Sequence, residues 1–311
     1  MPRLLATQSH VVHGYVGNKA ATFPLQCMGW DVDCLNSVQF SNHTGYGMDK
    51  VFGTMTDEHQ LEQVFQGLLD LPPCLDGYHA LLSGYLPNKA SVNCVGRYYS
   101  RLKQRAAHQA IWLLDPVMGD EGQLYVSDDV IPEYRALVGS GLVDAITPNQ
   151  FELEILYGDS VPDLPTLKRA LQHLHATVPV IVVTSCSSAL FGDPSHIYCV
   201  ASLRDTDPIV YRVPIIDSYF TGVGDLFSAV LLDHLYRMFL SGSTATFTQE
   251  INHVLNVVHS VLETTLQLSP KNVKASIGSP TEMREMELRI VQSRDCYEQS
   301  QASRDFIYKH L

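Results

Sequence analysis

The feature that most constrains this chain is a regular alternation of short, continuous apolar runs with longer amphipathic segments. Runs at residues 3–7, 31–35, 79–82, 111–114, 143–146, 178–183 and 209–213 read as strands. The clearest, Val180-Ile181-Val182-Val183, is β-branched throughout and apolar on both faces. Such strands belong to parallel sheets covered by helices on both sides. Helical patterns occupy 19–28, 57–69, 89–105, 149–157 and 166–176, with Thr166 expected as the N-cap of the last. Beyond 213 two long helices are expected at 222–239 and 250–268, then a further amphipathic helix near 283–291. This order predicts a single α/β domain over 1–311: a doubly wound three-layer α/β/α sandwich around a mostly parallel sheet, ending in a polar tail from 295. Alternation alone also suits a closed barrel.

The residues that follow each run carry the chemistry. Strand ends give way to Gln8-Ser9-His10, Ser83-Gly84-Tyr85, Asp115-Pro116, Thr147-Pro148-Asn149 and Thr184-Ser185. In a parallel sheet these ends share one edge, and ligands bind in the crevice outside the carboxyl ends of strands. The sharpest local motif is Thr221-Gly222-Val223-Gly224-Asp225, just ahead of a helix with the apolar face Leu226, Phe227, Val230, Leu231. Glycines let the backbone turn tightly, and the free N–H groups of a helix start attract anions. A carboxylate placed there can accept a proton from a hydroxyl that attacks a phosphate, a reaction that depends on positioning and charge stabilisation. The same spacing also suits Asp225 as a helix cap. Asn149-x-x-Glu152 sets an amide and a carboxylate on one helical face, and with Asp115 and Asp120 offers oxygen ligands of the kind Mg²⁺ takes.

Other chemistries lack their residues. There is no Walker A loop, no His-Glu-x-x-His and no Gly-x-Ser-x-Gly, and no glycine completes a dinucleotide fingerprint after Gly224. His173 and His175 are two apart and would point to different faces of a helix. With 21 Lys and Arg against 33 Asp and Glu, the net charge of −12 argues against nucleic acid and anionic membranes. No run of 18 apolar residues and no signal-peptide core occur. Seven scattered cysteines (27, 34, 74, 94, 186, 199, 296) form no Cys-x-x-Cys, which points to a reducing compartment. The expected location is the cytoplasm, with the nucleus as an addition.

Taken in order, four stretches resemble the eukaryotic, fungal-type pyridoxal kinases of the ribokinase-like superfamily. They are Gln8-Ser9-His10-Val11-Val12-His13-Gly14-Tyr15-Val16-Gly17-Asn18, Asn36-Ser37-Val38-Gln39-Phe40-Ser41-Asn42-His43-Thr44-Gly45-Tyr46, Thr147-Pro148-Asn149-Gln150-Phe151-Glu152, and Gly222-Val223-Gly224-Asp225. The resemblance covers about residues 4–294. It implies ATP-dependent phosphorylation of the 5′-hydroxymethyl group of pyridoxal, pyridoxine or pyridoxamine. By that similarity Ser9 and Thr44 hydrogen-bond the ring substituents, and Val16, Phe40, His43 and Tyr85 pack around the ring. Asp225 matches the catalytic base, with Gly222, Val223 and Gly224 as the anion hole. Asp120 and Glu152 match the Mg²⁺–ATP region, or that of another divalent cation. Asp115, Thr147 and Thr184 match positions holding a monovalent cation, K⁺ or Na⁺. Asp115, Asn149, Gln150, Phe151, Glu152, Thr184, Ser185, Ile216, Asp217, Ser218 and Val223 match the ATP site.

The same resemblance implies a homodimer. Two departures stand out. Many relatives carry Ala or Thr where this chain has Val223, and Gly119-Asp120-Glu121-Gly122-Gln123-Leu124-Tyr125 is shorter than the lid loop of animal enzymes, although Tyr125 still matches a lid tyrosine. The rival readings are a hydroxymethylpyrimidine kinase, a sugar or nucleoside kinase of the superfamily, and a non-catalytic vitamin-binding protein.

Overall fold

The computed structural model describes residues 1–70, 77–105, 110–120, 122–270, 274–298 and 303–311; Cys74 and Glu121 lie outside the described residues. The chain runs from β1 (Arg3–Val11) through α1 (Asn18–Cys27) to β2 (Asp31–Phe40), then turns back into β3 (Gly53–Met55). Next come α2 (Glu58–Asp70), β4 (Tyr78–Ser83), α3 (Lys89–Arg105), β5 (Ile111–Leu114) and a two-stranded ribbon, β6 (Gly119–Asp120) with β7 (Gln123–Leu124). They are followed by α4 (Ile131–Gly139), β8 (Ala145–Ile146), α5 (Gln150–Tyr157), α6 (Leu164–Leu174) and β9 (Val180–Cys186). The last part comprises β10 (His196–Leu203), β11 (Ile209–Pro214), α7 (Val223–Leu240), α8 (Phe247–Leu268), α9 (Pro280–Glu285), α10 (Arg294–Tyr297) and β12 (Ile307–His310).

Ten of these strands form one sheet in the order β12-β11-β10-β9-β8-β5-β4-β1-β2-β3. The central pairs from β2 to β9 are parallel. β3 at one edge and β10, β11 and β12 at the other are antiparallel. Alternate residues of each central strand feed opposite cores, as a period of two requires. Leu5, Trp112, Ile146, Ile181 and Val183 pack with α2 to α6, while Leu4, Leu113, Ala145, Val180 and Val182 pack with α1, α7 and α8. This is the expected three-layer sandwich, open rather than closed into a barrel. The chain goes from β1 out to β2 and then crosses to β4 on the other side of β1. That switch of direction opens the crevice beside the end of β1.

Several local expectations are corrected. β1 and β2 run on through Val11 and Phe40, and β9 through Thr184 and Ser185, so residues read as loops after the strands lie within them. Asp163, not Thr166, caps α6: its side chain accepts the Thr166 N–H at 2.7 Å. No helix spans 283–291. The Arg289 N–H, which would bond the Glu285 carbonyl in a helix, goes instead to Thr265 Oγ1, while Ser269 Oγ and the Arg289 guanidinium take that carbonyl. The region from 295 is not merely a polar tail. β12 pairs with β11, Phe306 is buried in the core, and Asn252 and Asn256 hold the Arg304 and Phe306 backbone. Sequence periodicity also missed α4 and β10.

Candidate active site

Within β1 the register against β2 slips between Gln8 and His10, a bulge that re-aims the half-buried Ser9. The loop after β1 then folds over Gly17, whose φ of +52° and close approach to Ser9 exclude a side chain: a Cβ there would lie 2.1 Å from Ser9 O. Asn18 anchors the loop to β2, donating to Leu35 O at 3.1 Å and Asn36 Oδ1 at 2.8 Å.

This loop meets the start of α7. Gly222, at φ +85°, is its N-cap, and a Cβ on it would sit 2.0 Å from Tyr15 O. Only glycine permits that contact. The N–H groups of Val223, Gly224 and Asp225 belong to the first turn, where helix geometry supplies no acceptor. Asp225 is the third residue of the helix, and Gly222 makes no side-chain cap, so Asp225 is not the capping residue. Its carboxylate accepts the Gly17 N–H instead. Burial pushes its pKa up to about 6, against the Gly17 hydrogen bond and the charge of His43, which both pull it down.

Two further acids lie nearby. Asp115, at the end of β5, is 6% exposed and accepts a hydrogen bond from Ser228 Oγ, which in turn lies 2.9 Å from Thr147 Oγ1. Burial first, then the charges of Glu152 and Asp225, hold the Asp115 carboxyl well above the usual range. Asn149 and Glu152 turn out to be a reciprocal capping box at the start of α5: Asn149 Oδ1 accepts the Glu152 N–H and Glu152 Oε2 accepts the Asn149 N–H. Glu152 Oε1 also accepts the Met118 and Gly119 N–H groups. Burial lifts its pKa to about 7 despite these bonds. Among the described residues no Lys, Arg or His forms a salt bridge with Asp115, Glu152 or Asp225. Acids and hydroxyls offering only oxygen suit a hard cation. No three His, Cys, Asp or Glu among the described residues could hold a metal alone, so phosphate oxygens would have to complete its shell.

The remaining expected residues are placed by the elements that carry them. Phe40 ends β2, and His43 and Thr44 follow it, His43 buried and Thr44 exposed. Val16 is 8% exposed in the loop after β1. Tyr85 is half-buried after β4, its backbone carbonyl accepting from Ser37 Oγ. Asp120 ends β6 and the exposed Tyr125 follows β7, at a ribbon where Phe151 packs closely on Gly119. The Gln150 amide bridges α5 to Val161 O and the Ser187 N–H. Thr184 donates its N–H to Pro148 O. On the far side, exposed Asp217 pairs with Lys274, and Ser218 Oγ accepts the Ala275 N–H, which closes the 216–218 segment against the stretch after α8.

Sequence reasoning missed Glu287. It is 6% exposed, and its carboxylate takes the Tyr15 N–H at 3.0 Å, the Tyr46 hydroxyl at 2.8 Å and His43 Nε2 at 2.8 Å. The only signal was an acid set between the apolar residues Met286 and Leu288.

A family model described as phosphomethylpyrimidine kinase matches residues 56–246. A provisionally named pyridoxal kinase of Saccharomyces cerevisiae is 62% identical over 316 residues, covering the whole of both chains. The human pyridoxal kinase is 34% identical and covers 94% of each. Among solved structures, a Leishmania donovani pyridoxal kinase in complex with ADP and pyridoxamine superposes with a TM-score of 0.84 at 30% identity, over 99% of this chain and 100% of that one. Its complex with ADP and pyridoxine gives 0.84 at 31% identity, over 99% of each chain. By sequence and by fold, then, the chain belongs to the pyridoxal kinase family of the ribokinase-like fold.

Proposed function

We infer that the protein transfers the γ-phosphoryl group of ATP to the 5′-hydroxymethyl group of pyridoxal, pyridoxine or pyridoxamine. The carrying observation is Asp225, a partly buried carboxylate held by the Gly17 N–H at the first turn of α7, beside the free N–H groups of the Gly222 turn. The vitamin's hydroxyl oxygen bonds to the γ-phosphorus and passes its proton to Asp225, while the bond to the bridging oxygen of ADP breaks. The turn's N–H groups stabilise the transferring oxygens. Ser9, Val16, Phe40, His43, Thr44 and Tyr85 border the vitamin. Asn149 to Glu152, Thr184, Ser185 and 216–218 border the nucleotide. Tyr125 covers the phosphates from the shortened lid.

Asp120 and Glu152 would hold a divalent cation, and Asp115, Thr147 and Thr184 a monovalent one; bound to the phosphates, such cations neutralise charge developing on ADP. Glu152 is oriented for this by its three N–H donors. The family model favours one second reading, phosphorylation of a hydroxymethylpyrimidine. The test is ADP release measured with pyridoxal, hydroxymethylpyrimidine and ribose. Turnover with pyridoxal is expected, together with a loss of about 10²- to 10⁴-fold in kcat and retained ATP binding for Asp225→Ala. Wild-type turnover in that variant removes Asp225 from the reaction.

A homodimer is part of this reading. It is supported by the exposed apolar residues Met48, Phe52 and Met55 around the edge strand β3, and light scattering tests it. A cytoplasmic location, extending to the nucleus, is supported by the six described cysteines, all of them free, and imaging of a tagged chain tests it.

A further inference from the structure

Two separate stretches of chain converge on one buried carboxylate from a third, at the vitamin end of the site. Glu287, between α9 and α10, accepts the Tyr15 N–H from the loop after β1 and, at Oε1, both His43 Nε2 and the Tyr46 hydroxyl from the turn after β2. Its side chain is 5% exposed and that of His43 is 4% exposed, so water does not replace these bonds. The fit is close. Gly14, at φ +95°, leaves no room for a Cβ, which would come within 2.5 Å of Glu287 Oε1, and a Cβ on Gly45 would lie 2.9 Å from His43 Nδ1. Both stretches held by Glu287 also act on Asp225. Gly17, two residues after Tyr15, gives Asp225 its N–H, and the charge of His43 reaches its carboxyl.

We propose that Glu287 is a positioning residue for the alcohol substrate, setting the β1 loop and the His43–Tyr46 turn in the one arrangement that receives the vitamin ring beside Asp225. Donating to Glu287 requires a proton on His43 Nε2, and Nδ1, buried and without a hydrogen-bond partner, is the ring's remaining polar atom. A carboxylate can accept from three donors at once. An amide of the same shape carries no negative charge, and it keeps all three contacts only if the Tyr46 hydroxyl and the His43 ring turn from donors into acceptors. Burial pushes the Glu287 carboxyl up, but the bonds and charge of His43, with those of Tyr46 and Tyr15, bring it below its ordinary value, so the group stays an acceptor at neutral pH. None of the residues assigned to the nucleotide hydrogen-bonds to Glu287, whose partners are Tyr15, His43 and Tyr46, so its larger effect is expected on the vitamin.

The proposal rests on the assignment of this end of the site to the vitamin, and the test separates the two. Glu287→Gln is compared with the parent in steady-state kinetics, in equilibrium binding of pyridoxal followed by its own absorbance, in binding of a fluorescent ATP analogue, and in thermal melting. The expected result is a tenfold or greater weakening of pyridoxal binding and a matching rise in its KM, with nucleotide affinity within twofold of the parent. Equal weakening of both ligands, or no weakening of pyridoxal, overturns the proposal. Should Glu287→Gln not fold, Tyr46→Phe removes one of the three donors and leaves the carboxylate in place. A severalfold, pyridoxal-selective loss is then expected, and unchanged pyridoxal binding overturns the proposal. Failure of the wider reading has a different signature: the parent itself shows no binding of pyridoxal.

Discussion

At the scale of the residue, the proposed reaction requires Asp225 to be basic enough to take a proton and still ionised when it does so. Burial raises its pKa to about 6, and the Gly17 N–H with the charge of His43 keeps the rise from going further. The sign of the pH dependence follows. Below about pH 6 the protonated acid cannot accept, so kcat/KM for pyridoxal should fall roughly tenfold per pH unit, and above it a plateau is expected. A profile of kcat/KM from pH 5 to 8 checks this, and a flat acid limb would contradict the role given to Asp225. Asp225 stood out in the sequence as an acid after two glycines and before an apolar helical face, a spacing that equally suits a helix cap, and its reading as the base came from the family resemblance. Glu287 was not legible, because its meaning depends on Tyr15, His43 and Tyr46, which lie more than 240 positions away in the chain. Asn149 and Glu152 were legible only as neighbours on a helix, and their reciprocal cap depends on the backbone at the helix start.

At the scale of the element, the start of α7 works only because a loop and a helix approach within contact distance at a glycine. Gly222→Ala would place a methyl 2.0 Å from Tyr15 O in a backbone conformation, φ +85°, that L-residues rarely adopt. The strain alone is of order 1–3 kcal/mol. Relief requires moving either the Gly222 turn or the loop that carries Gly17. The expected outcome is a fall in kcat of at least about 10²-fold, since a misplacement of about 1 Å costs that much, with a loss of only a few degrees in Tm. Near-normal kcat would mean that the turn does not position the phosphoryl group. Elements with a strong period, such as the buried strands and α8, were legible in the sequence. The segment 283–291 has the spacing of a helix, yet Thr265 and Ser269 take over the hydrogen bonds that would continue it. Tertiary competition of this kind leaves no local trace. β12 is equally silent in isolation, since its pattern is two half-buried residues alternating with two exposed ones, and only its partner β11 makes it a strand.

At the scale of the whole molecule, a net charge of −12 opposes an anionic co-substrate, and the three acids near the start of α7 concentrate the problem. Their pKa values point to how the charge is balanced. Asp115 is raised well above the usual range, Glu152 to about 7 and Asp225 to about 6, in each case with burial as the largest cause. Because these values exceed those of the unfolded chain, the folded state binds more protons between about pH 4 and 7, so these groups favour the fold at low pH. The share of Asp225 and Glu152 disappears as pH rises through about 6 and about 7, when their carboxyls ionise. Cations bound among these oxygens would replace the lost protons, stabilising the fold in proportion to RT ln(1 + [L]/Kd). Added Mg²⁺ with K⁺ should therefore raise Tm by several degrees at pH 8 and by much less at pH 5.5, where protons already occupy the acids. Choline chloride of equal ionic strength serves as the control, since screening alone would act on the dispersed surface charge in both salts. Equal shifts with both salts, or a larger shift at pH 5.5, would show that the acid cluster is not where the cations act. The net charge opposes long-range attraction of ATP, which in the proposed reaction leaves its capture to the focused field of the α7 start and to any cations bound beside it.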